Sequence, residues 1–256
     1  MKYNRFLLIL LISLLLSGCY SSPEPAEATT ITLATEPIAI PATEPLHSDL
    51  YLPGRSQEQI LTWFEEVVLD MEYSEGDGDI TLVQKWTNPI GFWIYGTPTE
   101  EDRAVLNNLF VQLNQIPGFP GFYTAEAEGL EVLGIRFLDA DAFRDSFSGV
   151  INGEDAYGAT QFWYYTDTNE IHSARIGCRA DIPQKERNSV LVEEIINALG
   201  VSDTLLREDS ITYQYSNENT ALSDVDWTLL KLLYNPDICC GMNRNQCAEV
   251  IRQLYY

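Results

Sequence analysis

A single α+β domain is predicted by three features of the sequence. Helical and strand-like apolar patterns alternate along residues 54–256, Asp167-Thr168-Asn169 marks a hairpin, and a long amphipathic helix follows it. The predicted order is helix, strand, helix, strand, hairpin, helix. It places a mixed sheet over the helix at about 187–199, with further helices closing the C-terminal end. A domain of about 200 residues has room for a good core.

Ser56-Gln57-Glu58-Gln59 has the pattern of a capping box, and Ile60, Leu61, Phe64, Val67, Val68 and Met71 follow at helical spacing. Asp77-Gly78 marks a turn. Leu82 to Tyr95 is rich in β-branched and aromatic residues with a break at Asn88-Pro89, which predicts a strand pair or a bulged strand. Thr99 caps a second helix at about 100–115, with Val105, Leu106, Leu109, Phe110 and Leu113 on its apolar side, and Ile116 to Gly121 ends it. Glu131 to Leu138 reads as a strand. Phe162 to Thr166 and Glu170 to Cys178 read as the two arms of the hairpin. Strand alternation divides the aromatic run Phe162 to Tyr165 into two pairs. One is core, and the other, Trp163 with Tyr165, is either packing or a platform for glycan or peptide. Trp86 and Trp93 are read as packing residues.

The first 53 residues carry an address. Lys2 and Arg5 precede the apolar run Phe6 to Leu16, which is too short to span a bilayer, and Leu16-Ser17-Gly18-Cys19 resembles the cleavage site of bacterial lipoproteins. That resemblance implies a signal peptide over 1–18 and a lipidated Cys19 holding the chain to a membrane from the extracytoplasmic side. Residues 19–53 are rich in Pro, Thr, Glu and Ala and read as a disordered tether, which includes His47. Residues 54–256 form the domain. It holds 13 basic against 33 acidic residues, a net of −20, and such a surface repels nucleic acid and anionic headgroups.

Beyond Cys19, the chain has Cys178, Cys239, Cys240 and Cys247. In an oxidising compartment four cysteines suggest two disulfides with three possible connectivities. Joining the neighbours Cys239 and Cys240 would distort the peptide between them. Cys178 is therefore expected to reach one of that pair and Cys247 the other, tying the C-terminal helix to the sheet.

The residues Glu193-Glu194-Ile195-Ile196-Asn197-Ala198-Leu199-Gly200-Val201-Ser202-Asp203 concentrate the chemistry. Leu191, Val192, Ile195, Ile196 and Leu199 fall on one side of a helix; Glu193, Glu194 and Asn197 fall on the other, with Glu193 and Asn197 one turn apart. Gly200 is expected to end the helix in a left-handed conformation that swings residue 203 back toward that pair. This spacing resembles the extended zinc-protease signature H-E-x-x-H-x-x-G-x-x-H/D, with Glu194 in the place of the general base. Glu193, Asn197 and Asp203 then stand at the three ligand positions. Ser210-Ile211-Thr212-Tyr213 sits where metzincins have their methionine turn, and Leu222-Ser223-Asp224-Val225-Asp226-Trp227 opens a helix running to Tyr234, as in matrixin-like and astacin-like proteases. The block Glu193 to Gly200, the Leu222 to Asp226 segment, and Leu233-Tyr234-Asn235-Pro236 followed by Gly241-Met242 resemble the bacterial domain of unknown function 2927 family. The resemblance covers the C-terminal third firmly and implies a metzincin-like (zincin) fold without an assigned activity.

Zinc catalysis requires nitrogen, sulfur or carboxylate ligands, here usually including two histidines, and an open water position. The chain has only His47 and His172, neither on this helix. No catalytic zinc is expected; an oxygen-only set suits calcium or another hard divalent cation, or no cofactor at all. His172 is read as a strand histidine with a satisfied hydrogen bond, or alternatively as a catalytic base. The expectation is a membrane-anchored envelope lipoprotein whose degenerate site serves a binding or accessory role toward an envelope protein, peptide or glycan. The alternative is a hydrolase of peptides or peptidoglycan peptides acting through Glu194.

Overall fold

Strand formation begins at Ile90, after the Asn88-Pro89 break, and the alternation of large residues on both faces of each strand sets what covers the sheet. The computed structural model describes residues 50–69, 82–151 and 156–255, all within one compact unit, Pro45–Tyr256. The expectations for the signal peptide, Cys19, His47, Met71 and the Asp77-Gly78 turn lie outside the described residues. No helix among the described residues is long and apolar enough to cross a membrane.

Helix α1 (Gln57–Phe64) starts at the Ser56 capping box and continues into a π-helical segment, Glu65–Leu69. Strand β1 (Ile90–Gly96) leads to α2 (Glu100–Leu113), whose first turn is closed by Thr99 and Asp102, each bonding the other's backbone N–H. Strands β2 (Phe122–Thr124) and β3 (Leu133–Leu138) follow, then α3 (Ala140–Phe147). The hairpin arms are β4 (Gly158–Tyr164) and β5 (Ile171–Arg179), and α4 (Gln184–Ala198) is the motif helix. Helices α5 (Asp224–Leu233) and α6 (Arg244–Leu254) complete the chain.

The five strands form one mixed sheet in the order β2-β1-β3-β5-β4. All neighbours are parallel except the hairpin partner β4, which runs antiparallel at one edge. The α+β expectation and the mixed sheet therefore hold. Leu133, Ile135, Phe137, Ala174, Ile176 and Cys178 point to the face that α4 crosses, and the main core lies between that face and α1, α2, α4, α5 and α6. A small second cluster, Phe143, Phe147 and Ala159, covers one end of the opposite face beneath α3. Each fully buried Leu, Ile or Phe contributes roughly 1.5–3 kcal/mol, so the large cluster dominates stability.

Several expectations need correction. Residues 82–89 do not form a first strand of a pair. Lys85 makes only an isolated bridge to Glu170, and its ammonium turns inward to donate to the carbonyls of Leu233 (2.8 Å) and Ile238 at the end of α5. Neither β2 nor α3 was anticipated. Leu50 to Pro53, read above as the end of the tether, are in contact with the domain: Leu50 is buried and the Leu52 N–H donates to the Tyr255 hydroxyl (3.1 Å).

The expected disulfides are not formed: Cys178, Cys239, Cys240 and Cys247 are all free. Cys178 is buried under α4 at the far end of β5. Cys240 instead donates to the Lys85 carbonyl, beside Glu170 at the start of that strand. Eight residues of strand at about 3.3 Å each put roughly 26 Å between the two ends, far beyond the reach of a disulfide.

Candidate functional site

Helix α4 is fixed at both ends before its polar face is considered. At its start, Arg187 donates to the fully buried Asp102 of α2 (2.9 Å) and to the Ala180 carbonyl (2.7 Å), and Gln184 donates to the same Asp102 oxygen (2.7 Å). At its end, the Trp86 indole N–H donates to the Ala198 carbonyl (2.8 Å) and the Tyr234 hydroxyl to that of Leu199 (3.0 Å). These contacts supply partners for carbonyls that a helix terminus leaves without one. Gly200 follows at φ 93°, as the sequence predicts, and a side chain there would run into the Gln84 carbonyl. The returning chain is held by Ser202, whose N–H donates to the Val67 carbonyl (2.7 Å), and by Glu66, whose carboxylate accepts from Thr204 Oγ1 and the Leu205 and Leu206 N–H groups.

That anchoring brings Asp203 back to α4: Asn197 Nδ2 donates to Asp203 Oδ1 at 3.2 Å, while Asn197 Oδ1 is buried without a partner. Glu193, one turn earlier, lies within electrostatic reach of Glu194 and Asp203. Burial, with the charges of those two neighbours, holds its carboxyl well above the usual range. Glu193, Asn197 and Asp203 thus share one neighbourhood, as the motif spacing predicts. Ser210 to Tyr213 run beside it, with Tyr213 bridged to Thr204, and Thr212 is buried there.

Glu194 points elsewhere, into the contact between α4 and β4. It is 7% exposed, and Thr160 of β4 donates to its backbone carbonyl (2.9 Å). Its carboxyl fills the space beside Gly158, where a β-carbon would lie 2.8 Å from Glu194 Cγ. Burial pushes its pKa up to about 8; a bond from Thr160 opposes the rise and the charge of Asp203 adds to it. A carboxyl so placed carries its proton at neutral pH and is a hydrogen-bond donor there, not a base.

The Asn197 amide N–H serves Asp203, which leaves Asn197 Oδ1, the atom a cation would take, buried without a hydrogen bond; among the described residues no group of three or more His, Cys, Asp or Glu side chains is placed to hold a metal, a set to which Asn197 does not belong. His172 is apart from this neighbourhood in its contacts: its ring lies 4.4 Å from that of Tyr165 and Nδ1 is 3.1 Å from Ser173 Oγ. Gly158 and Thr160 were missed by sequence reasoning, because nothing local to β4 signals a helix partner more than thirty residues away.

A second polar centre lies under the returning loop. Asp226, in the first turn of α5, accepts from Arg207, from Ser210 Oγ (2.7 Å) and from the N–H groups of Ile211 (3.1 Å) and Ser223 (3.0 Å). It ties the loop after Asp203 to α5, so the return of Asp203 depends on α5 packing.

These features define an α+β domain with a mixed five-stranded sheet and an acid-bearing helix packed against its antiparallel edge strand. The chain belongs to the domain of unknown function 2927 family: the family model, described as a protein of unknown function (DUF2927), matches residues 57–253. No curated protein matches it.

Proposed function

We propose that this protein is a lipid-anchored extracytoplasmic component of the bacterial cell envelope whose zincin-like domain binds a partner and does not cut it. The observation that carries this reading is that Glu193, Asn197 and Asp203, the three ligand-equivalent residues, stand together without a histidine among them, two of them joined by a hydrogen bond. The ancestry is supported by a mixed sheet lying over α4, the glycine stop at Gly200 and the return of Asp203. The anchor is supported by the basic start, the short apolar run and Leu16-Ser17-Gly18-Cys19.

Glu194 favours a second reading, in which the site hydrolyses peptides or peptidoglycan peptides. Its raised pKa is of the kind found at acid–base sites. One experiment separates the two: metal content of the purified chain, with turnover of casein and cell-wall peptides by the parent and by Glu194→Gln. The binding reading expects less than one metal per chain and no turnover in either. One metal per chain, with turnover that Glu194→Gln abolishes, would overturn it. Cys19→Ser is expected to release the protein from membranes, and a variant that stays bound would refute the anchor.

A further inference from the structure

Where α4 meets the returning chain, one acceptor is left bare. Asn197 donates to Asp203 Oδ1 at 3.2 Å, and its own Oδ1 is buried and accepts no hydrogen bond. Buried carbonyl oxygens are almost always paired, so a bare one beside two carboxylates marks a place for an incoming donor. The place is open to one: Glu193, Asn197 and Asp203 are each half-buried, whereas Glu194 lies deeper, against Gly158.

Charge points the same way. The charges that act on Glu193 are those of Glu194 and Asp203, both of its own sign, and none of the ion pairs among the described residues reaches it. A carboxylate taken out of water without a counter-charge is costly, and a cation from outside the chain would supply what the fold leaves out. The other buried acids met above are treated differently: Asp102 is paired with Arg187 and Asp226 with Arg207.

The loop that carries Asp203 is apolar where it is exposed. Leu205 and Leu206 are more than half exposed, and Glu66 holds their N–H groups in place. Tyr213 is bridged to Thr204, the residue after Asp203, and its ring meets that of Tyr215 edge-on at 5.7 Å; Tyr215 is 72% exposed. Aliphatic and aromatic groups beside acids suit a side chain with an apolar stem and a cationic head.

We propose that Glu193, Asn197 and Asp203 seat a primary ammonium group, the head of a lysine side chain on a protein partner, with the exposed loop residues against its stem. An ammonium is compact and carries three donors and no acceptor, which matches three oxygen-bearing side chains grouped around one point. A guanidinium is a planar fork suited to a single carboxylate met edge-on. A calcium ion takes about six to eight oxygens, more than these three side chains carry. A net charge of −23 draws a basic partner toward the chain and opposes an acidic one. The assignment rests on the binding reading of this site and adds to it the chemistry of the partner.

The test is calorimetric titration of the full chain with a short peptide, blocked at both ends, that carries one lysine among glycines. Its counterparts carry arginine, acetyl-lysine or norleucine in that place, and a soluble cell-wall peptide with a free diamino-acid amine is a further probe. The lysine peptide should bind about tenfold more tightly than its three counterparts. Glu193→Gln and Asp203→Asn, which keep the shape of each side chain, should each weaken binding about tenfold. Glu193→Gln also removes a buried carboxyl from among charges of its own sign, so its stability in urea should not fall, which separates lost binding from lost folding. The control is Glu126→Gln with Glu128→Gln, which takes two charges from an exposed loop and should leave binding unchanged. No binding of the lysine peptide overturns the proposal, as does equal binding of a counterpart, binding of the cell-wall peptide alone, undiminished binding by both site variants, or an equal loss in the control. A failed lysine titration with no metal and no turnover removes the ligand and leaves the binding reading. One metal per chain, with turnover that Glu194→Gln abolishes, removes the binding reading itself.

Discussion

Glu194 and Gly158 interlock across the contact between α4 and β4: the space a β-carbon would need on the strand is filled by the acid's side chain. Val190, one turn earlier on α4, lies against the same point, so the helix approaches β4 as closely as a missing side chain permits. Gly158→Ala must therefore push the helix away or force Glu194 into another rotamer, at a cost of about 1–3 kcal/mol. Urea unfolding checks this. Truncating the acid relieves part of the clash, so Gly158→Ala should cost less in a Glu194→Ala background. Equal costs in both backgrounds would show that the two residues do not meet.

The same acid makes stability depend on pH. Its ordinary pKa is 4.5, and burial raises it to about 8 in the folded chain. Between those values the folded state keeps a proton that the unfolded state has lost, so stability falls as pH rises through that window. The slope from this group is at most about 1.4 kcal/mol per pH unit. Glu193, raised for the same reason, acts in the same direction. Glu194→Gln removes a titrating group and keeps the shape, so its unfolding free energy should fall less between pH 5 and pH 8, with the largest gain over the parent at pH 8. Parallel pH profiles for parent and variant would contradict a buried, proton-carrying Glu194.

Asp226 is the more consequential half of its pair with Arg207. Asp226→Ala leaves a buried guanidinium without its counter-charge, beneath the Trp63 ring 5.8 Å away, and is expected to cost about 3–5 kcal/mol. Arg207→Met should cost less, because Asp226 keeps three other donors in Ser210, Ile211 and Ser223. Thermal unfolding of the two variants gives the order directly, and a larger loss for Arg207→Met would refute the assignment.

Thiol labelling tests the corrected cysteine arrangement. Iodoacetamide should modify the exposed Cys239 first in the native protein and Cys240 more slowly. Cys178 and Cys247 should react only on unfolding. Burial also pushes the Cys247 thiol up to about 11 and that of Cys178 higher still, which keeps both protonated and unreactive. A peptide joining Cys178 to Cys239 or Cys240 in non-reducing mass mapping would show that β5 does not run as described.

What the sequence determined by itself is local. The Ser56 box, the Thr99 cap, the hairpin at Asp167 to Asn169 and the stop at Gly200 each depend on residues within a few positions of one another, and all are where the pattern puts them. The grouping of Glu193, Asn197 and Asp203 was legible for the same reason, since helical spacing and one glycine bring them together. Tertiary structure decided the rest. Strand β2 has only three residues and exists through its pairing with β1, and Lys85 gave up strand pairing to serve carbonyls at the end of α5. Glu194 reads as a polar helix residue until β4 supplies Gly158 and Thr160 beside it, and no local pattern shows that Tyr123 and Phe147 fill the space over Gly91 and Gly177. Burial of a charge and the filling of the space over a glycine belong to surfaces that meet only after folding, so neither is written in any short stretch of chain.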